Sequence, residues 1–494
     1  MPFTYLNLIG LAALVGAVCT ARYIWWRFFS YQGIPKHIPW VGAPDGGAFS
    51  RAKVALKSFF GLKPLLVEGY QEYSKRDQLF ILPNIVNGHE VILPTKYMPW
   101  LLEQHDNVLS QYETNRQFMC GDYTMLHKDM LGKNWPRLAD TVKREMTRDL
   151  DEFSEAMADE VQDSLKCLWG SKTDDWHEIN LYDVMLEVVG RVANRVFVGL
   201  PLCRNPGYLQ ASMGFSKYIL LWAMAIEMLP QLFKPVIGPL LTAKDYIHYK
   251  RMNRYIAPIV KERLAKQQEH HALGEDSKTS EPNDCIQWAL RDMARHGEDP
   301  ANDTNTMLSK RLAIISFTAI QSSAITITNA VVDIAATPLS IQVQESLRSE
   351  VEPLFNPQHQ EHDPIRNPWS RNSLSKLPKL DSILTETLRL WGILTHGVTK
   401  AVVPPEGITL PSGEHIPCGV KVGIASYGPH LDEQVYGFDG SSPLVFDAFR
   451  FCKPGAGMNG QNEKGEKKKG PLPGLRFVTT TKHYMGFSHG RHAW

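Results

Sequence analysis

Leu312 to Val332, LAIISFTAIQSSAITITNAVV, runs for 21 residues without a charged side chain. A stretch of that length is long enough to cross the hydrocarbon core of a bilayer as a helix. Low charge all round equally describes a helix through the centre of a large globular domain. Eight of the 21 residues are Ser, Thr, Gln or Asn, and polar groups of that number are costly in lipid. The run is therefore read as a buried central helix, with Pro338 closing it. A chain of 494 residues has ample material to bury such a core.

A second uncharged run opens the chain. Met1 to Ala21 carries no charge, and RYIWWRFF follows it, with Arg22 and Arg27 interleaved with Tyr23, Trp25 and Trp26. Apolar length with an aromatic and basic border is what a membrane interface selects. A cleaved signal peptide is the rival reading, but it places positive charge ahead of the apolar run, whereas here the arginines come after it. The positive-inside bias then leaves the rest of the chain in the cytosol, where the sequon at Asn302 would not meet the glycosylation machinery.

Lys plus Arg number 53 and Asp plus Glu 52, so no global field favours nucleic acid. The seven cysteines are odd in number and dispersed, with no C-x-x-C pair. That argues against a disulfide scaffold or a zinc site and for reduced thiols packed as small hydrophobes.

The organisation expected is an N-terminal membrane anchor over residues 1–29, a Pro/Gly connector over 30–49 and one catalytic body over 50–494. Gly33, Pro35 and Pro39 prevent the first helix from continuing. QLFILPN and HEVILPT predict a small sheet, and helical patterns follow from about 135 to 265. EHHALGEDSKTSEPND (269–284) reads as an exposed loop, and KLPKLDSILTETLRLW as a strong helix. Residues 453–474 form a low-complexity Gly/Lys insertion. Its Gly455, Gly457 and Gly460 match G-x-G-x-x-G, but with no strand before and no helix after, so the match is compositional.

The last residues, MGFSHGRHAW, contain G-F-S-H-G, the nucleophile-elbow pattern of a serine hydrolase centred on Ser488. An elbow serine needs a helix after it and an acid and a histidine further on. Six residues follow Ser488, and His489 and His492 are too near in sequence to reach back as bases.

Three separated segments give a better reading. Glu386 and Arg389 in LTETLRL share a helix face, so their charges can meet. A twin pair, Glu345 and Arg348, reads as an ordinary surface ion pair. About sixty residues beyond Glu386, FDAFRF sets Arg450 between two phenylalanines, and a guanidinium buried there has to be paired. Arg450 sharing the Glu386 carboxylate with Arg389 would make a locked network.

With the terminal FSHGRHA, these segments closely resemble the cytochrome P450 family of haem-thiolate monooxygenases, especially its fungal branch. The family pattern at the haem, F-x-x-G-x-[R/H]-x-C, is met by Phe487, Gly490 and His492, and Trp494 stands where its cysteine would. LPSGEHIP and YGPHLDEQVYGFDG extend the likeness.

The resemblance implies a mainly α fold with small β-sheets, a cytochrome P450-like fold expected to lack its C-terminal helix and strands, plus an N-terminal transmembrane helix. It implies that Glu386, Arg389 and Arg450 hold the haem-side loop in register. By alignment with the family's oxygen-face segment, Ser322 stands at a proton-relay position and Gln321 replaces the usual acid. His492 is expected near a haem propionate. The complete enzyme would use haem, O2, a separate NADPH-cytochrome P450 reductase and a lipophilic small-molecule substrate, of terpenoid or indole-terpenoid type, from an endoplasmic-reticulum membrane. SMGFSKYILLWAMAIEML (212–229) is a candidate pocket wall.

A thiolate trans to dioxygen favours O–O cleavage, and the Trp494 indole cannot supply that donor. Cys452 lies on the wrong side of the insertion. The chain is therefore expected to end just before the ligand cysteine, through a shortened product or an incompletely read gene, and to bind haem poorly and lack turnover. The contrasting reading is a non-catalytic membrane-bound remnant of the same fold that binds lipid or a partner.

Overall fold

The computed structural model describes residues 2–126, 130, 135–170, 174, 176–273, 281–297, 304–355, 367–392, 396–437, 440–452, 460–461, 467–468 and 475–490. Helix dominates, and seven helices position the features that matter below. They are α1 (Pro2–Phe29), α2 (Leu150–Trp169), α3 (Leu181–Phe197), α4 (Pro206–Ser216), α5 (Ala243–Leu273), α6 (Thr304–Ala336) and α7 (Pro378–Trp391).

The uncharged run lies inside α6, a 33-residue helix. Its first half is core: Leu312, Ala313, Ile314, Ile315 and Phe317 are all buried. They share a cluster with Trp288, Phe215 and Tyr208, and α6 packs along α3, α4, α5 and α7. Met307–Ala336 is long and apolar enough to cross a bilayer. Four of its polar side chains are instead served by the protein: Thr318, Ser322 and Thr326 donate to carbonyls one turn back, and Gln321 bonds to neighbouring helices.

A five-stranded sheet has the order β1-β2-β7-β4-β3. Its members are β1 (Phe80–Leu82), β2 (Glu90–Leu93), β3 (Leu109–Ser110), β4 (His396–Val402) and β7 (Lys421–Ala425). Between the last two lies a small hairpin, β5 (Ile408–Thr409) with β6 (His415–Ile416). β2 pairs parallel with β7, and every residue of both is buried. That fits strands without alternation, covered on both faces. Ile34, Ile38, Trp40 and Val41, from the stretch that follows α1, are buried in the same core cluster.

The polar segment 269–284 departs from an exposed loop at both ends. α5 continues to Leu273, and Asp284 is buried, capping the next helix at Gln287 and pairing with Arg263 at 2.6 Å. A charge that can cap and pair belongs at a packed helix end, which composition alone does not reveal. Gly455 and Gly457 lie outside the described residues, while Gly460 begins a two-residue strand paired with Lys467–Lys468. All seven cysteines are free.

Candidate functional site

α7 is built to carry charge inward. Pro378 occupies its first turn, where a missing N–H costs nothing, and Ser382 to Leu390 are buried apart from Leu384. Glu386 and Arg389 are one turn apart and completely out of solvent. Arg389 binds the carboxylate with both arms of its fork, Nε to Oε2 and Nη2 to Oε1, each at 2.7 Å.

The same Oε1 accepts from Arg450 Nε at 3.1 Å and from the Asp447 backbone N–H at 3.1 Å. One carboxylate thus faces two guanidinium groups, and the surplus positive charge is solvated by carbonyls. Arg389 Nη1 donates to His430 O and Pro443 O, both at 2.6 Å. Arg450 reaches Tyr436 O, Ser442 O, Val445 O and the Ser441 hydroxyl. Arg389 also lies over the Tyr436 ring, 5.1 Å from its centroid. Such a network fixes Tyr436 and the segment 441–450 against α7, because neither arginine nor the carboxylate can leave without stranding a charge. The twin pair, Glu345 and Arg348, is exposed.

From this hub a histidine reaches the terminal loop. His430 Nε2 accepts from the Met485 backbone N–H at 3.0 Å, so Nδ1 carries the proton and donates to Arg389 O at 3.1 Å. Burial, reinforced by Arg389, pushes its pKa down to about 3, so the ring is neutral. Its ring stacks on Tyr484 with centroids 5.5 Å apart, and Tyr484 donates to Thr385 O at 3.3 Å. Sequence reasoning quoted the segment containing His430 without singling it out, since its partners are backbone groups that leave no side-chain signature.

The loop places Phe487 edge-on to Phe477 at 5.4 Å and Gly490 at φ +83°. A Cβ on Gly490 would meet Leu102 Cδ2 at 2.4 Å, so backbone and Leu102 approach closely there. Ser488, at φ 68°, accepts the Val398 N–H through its hydroxyl at 3.0 Å. His489 Nδ1 is bonded to Thr480 Oγ1. Among the described residues no serine, histidine and acid therefore align as a triad around Ser488, which is a loop anchor. His492 and Trp494 lie outside the described residues.

On α6, the Ser322 hydroxyl donates to Thr318 O at 2.8 Å. Gln321 turns toward α3 and α4: its Oε1 accepts from Tyr182 at 3.0 Å and its Nε2 donates to Ser216 Oγ at 3.2 Å. The two neighbours thus face different partners. α7 connects α6 to the loop, because Asp333 accepts from Thr387 Oγ1 at 3.1 Å and from Trp391 Nε1 at 2.9 Å. Burial raises the Asp333 carboxyl, against the lowering effect of those two bonds. Asp333 is the first charge after the uncharged run, and that position was the available signal for it.

A haem fits the loop scaffold better than it fits the donor set. The clamp on the loop and the tight backbone at Gly490 are present. The Cys452 thiol donates to Pro378 O at 3.2 Å and is pushed up by burial, which disfavours a thiolate. Trp494 offers an N–H donor and no lone pair. Neither the Cys452 thiol nor an indole is thus suited to supply a thiolate.

The cytochrome P450 family model matches residues 95–493. Cytochrome P450 monooxygenase efuH of Hormonema carpetanum is 29% identical over 456 residues, covering 90% of this chain and 75% of that protein. Cytochrome P450 monooxygenase pbrC of Penicillium brasilianum is 27% identical over 484 residues, covering 98% and 85%. Cytochrome P450 monooxygenase astC of Aspergillus terreus is 25% identical over 483 residues, covering 98% and 86%. The buried Glu386–Arg389–Arg450 hub, the loop it holds through His430 and a family match across most of the sequence converge: the chain belongs to the cytochrome P450 family of haem-dependent monooxygenases.

Proposed function

We propose that this chain has the framework of a fungal secondary-metabolism monooxygenase acting on a lipophilic small molecule of terpenoid or indole-terpenoid type, anchored through α1 and served by an NADPH-dependent reductase. The observation that carries this is the fully buried Glu386 hub, which fixes the loop ending in Phe487–Gly490 against α7. In the family the bound haem supplies oxygen activation, and the residues of this chain position it. Glu386, Arg389 and Arg450 hold the register, His430 ties Met485 to α7, and Phe487 and Gly490 form the cradle. His492 is assigned to a propionate and Ser322 to proton delivery, with Gln321 fixing the segment before it.

With Trp494 at the thiolate position, the chain is proposed to lack monooxygenase turnover. That feature favours the second reading, a membrane-bound member of the family that binds ligand without chemistry. α1 suits an anchor: Leu14, Val18, Ile24 and Trp25 on it are exposed. Under this reading the body that follows α1 lies on the cytosolic side of the endoplasmic reticulum. The reduced carbon-monoxide difference spectrum of the purified full chain tests it. A spectrum without the thiolate-type band is expected, and that band at full haem occupancy would overturn the proposed loss of turnover.

A further inference from the structure

α1 does not end in open space. Arg22, Trp25 and Trp26 near its end are exposed, yet Arg27, in the last turn, is only 3% exposed. Its guanidinium turns into the body, where Nε donates to Ile85 O and Nη2 to Val86 O, both in the turn between β1 and β2. Glu227 Oε1, at the end of the helix Ile219–Glu227, lies 3.6 Å from the same group. One turn earlier the Tyr23 hydroxyl donates to Glu227 O at 2.9 Å.

A second arginine holds the end of α1 from the body. Arg51, buried in the helix Ala48–Phe60, donates to Phe29 O at 3.0 Å and to the Tyr31 hydroxyl at 2.8 Å. Phe29 O is one of the carbonyls that a helix end leaves without an internal partner. Phe29 also meets Phe49 edge-on at 6.3 Å. The stretch that follows, expected as a connector, is packed into the sheet core through Ile34, Ile38, Trp40 and Val41. A Pro/Gly tether would let a terminal helix swivel. Here it cannot, because a buried guanidinium that leaves its carbonyls and carboxylate is stranded.

The element that Arg27 reaches is open on its outer face. Leu220, Leu221 and Met224 of the helix Ile219–Glu227, and Val236 and Leu240 of the helix Lys234–Leu241, are exposed. Glu227 joins these two helices, its carboxylate accepting from Lys234 Nζ at 2.6 Å. Phe233, at the start of the second, reaches Gly16 of α1, where an added Cβ would lie 3.9 Å from the ring. α1 thus touches the helix pair at two levels, Gly16 and Tyr23, roughly 10 Å apart along its axis.

We infer that α1 works as a strap on the body: Arg27, with Glu227 as its counter-charge, couples α1 to the turn between β1 and β2 and to the helix pair 219–241, so that the local stability of both is set through α1. The inference needs neither haem nor turnover, and it holds whether α1 crosses a bilayer or lies on one.

Amide hydrogen exchange of the full chain in phosphatidylcholine nanodiscs, read by mass spectrometry, tests it. Arg27→Leu removes the donors and the charge, and should speed exchange about tenfold in 83–89 and in 219–241 while α7 keeps its parental rate. Arg22→Leu removes the same charge from an exposed position of the same helix and should change neither segment. Glu227→Gln should speed the same two segments, and its effect should be smaller when Arg27→Leu is already present. If Arg27→Leu does not fold, Arg27→Lys, which keeps the charge and loses the two-armed reach, is read in the same way. Parental exchange in 219–241 after loss of the Arg27 fork overturns the inference, as does equal acceleration by Arg22→Leu or acceleration spread evenly along the chain.

Discussion

Arg450 Nε lies 3.1 Å from Glu386 Oε1, and both side chains are completely buried although they stand 64 residues apart. The same oxygen accepts from Arg389, so a single carboxylate is the shared counter-charge of two buried guanidinium groups. Glu386→Gln keeps the shape and leaves two buried guanidinium groups without a counter-charge. It is expected to cost about 3–5 kcal/mol. Glu345→Gln, at the exposed twin pair, should stay within about 0.5 kcal/mol of the parent. Urea midpoints of the two variants, measured side by side, check the contrast.

What distinguishes these two E-x-x-R pairs was legible only through a third residue far along the chain, Arg450 between two phenylalanines. A charge flanked by apolar residues announces that it will be buried, and the central uncharged helix announced itself by the same reasoning. Asp333 and His430 were not legible in this way. Their partners are Thr387, Trp391, Arg389 O and the Met485 N–H, groups that come together only through the packing of α6 and the loop on α7. The buried end of 269–284 was missed for a related reason: Asp284 looks solvated until Arg263, inside the preceding helix, is folded against it. Gln321, aligned with the family's acid position beside Ser322, bonds to Tyr182 and Ser216, partners on two other helices that the alignment does not name.

His430 gives the protein a specific acid sensitivity. Folded, the ring takes its proton only near pH 3; unfolded, near its ordinary value of 6.5. The unfolded chain therefore holds more protons between these limits, and stability falls as pH drops from about 6.5 toward 3, with no loss above 6.5. The slope from this residue is about 1.4 kcal/mol per pH unit. Asp245, raised to about 6 by burial, works in the opposite direction below pH 6, so the comparison has to be made against a variant. His430→Asn should be less stable at pH 7, having lost the bonds to Met485 and Arg389, and should show a slope shallower by about that amount between pH 6 and 5. Denaturant midpoints at three pH values decide it; parallel slopes would rule out the buried neutral ring.

Gln321 and Ser322 should respond differently to truncation. Gln321→Leu removes both side-chain bonds and strands the Tyr182 hydroxyl, for an expected loss of about 1–3 kcal/mol. Ser322→Ala deletes only a bond back to Thr318 O within the helix and should change stability by less than about 0.5 kcal/mol. Thermal unfolding of both variants measures the difference. A large loss for Ser322→Ala would mean that its hydroxyl has a partner beyond its own helix.

Gly490 combines two constraints that substitution can separate. Its φ of +83° lies in the left-handed region, and an added Cβ would fall 2.4 Å from Leu102 Cδ2. Alanine there should cost about 1–2 kcal/mol from the backbone alone, plus whatever the contact adds. Leu102 is a flexible side chain and can yield part of that contact. In the double variant Gly490→Ala with Leu102→Ala, the steric share disappears and the backbone share remains. Leu102→Ala should therefore cost less in the Gly490→Ala background than in the parent chain, a coupling that a double-mutant cycle on unfolding free energies reads directly. Strict additivity would show that the loop does not rest on Leu102, and with it that the cradle at Gly490 is not held from that side.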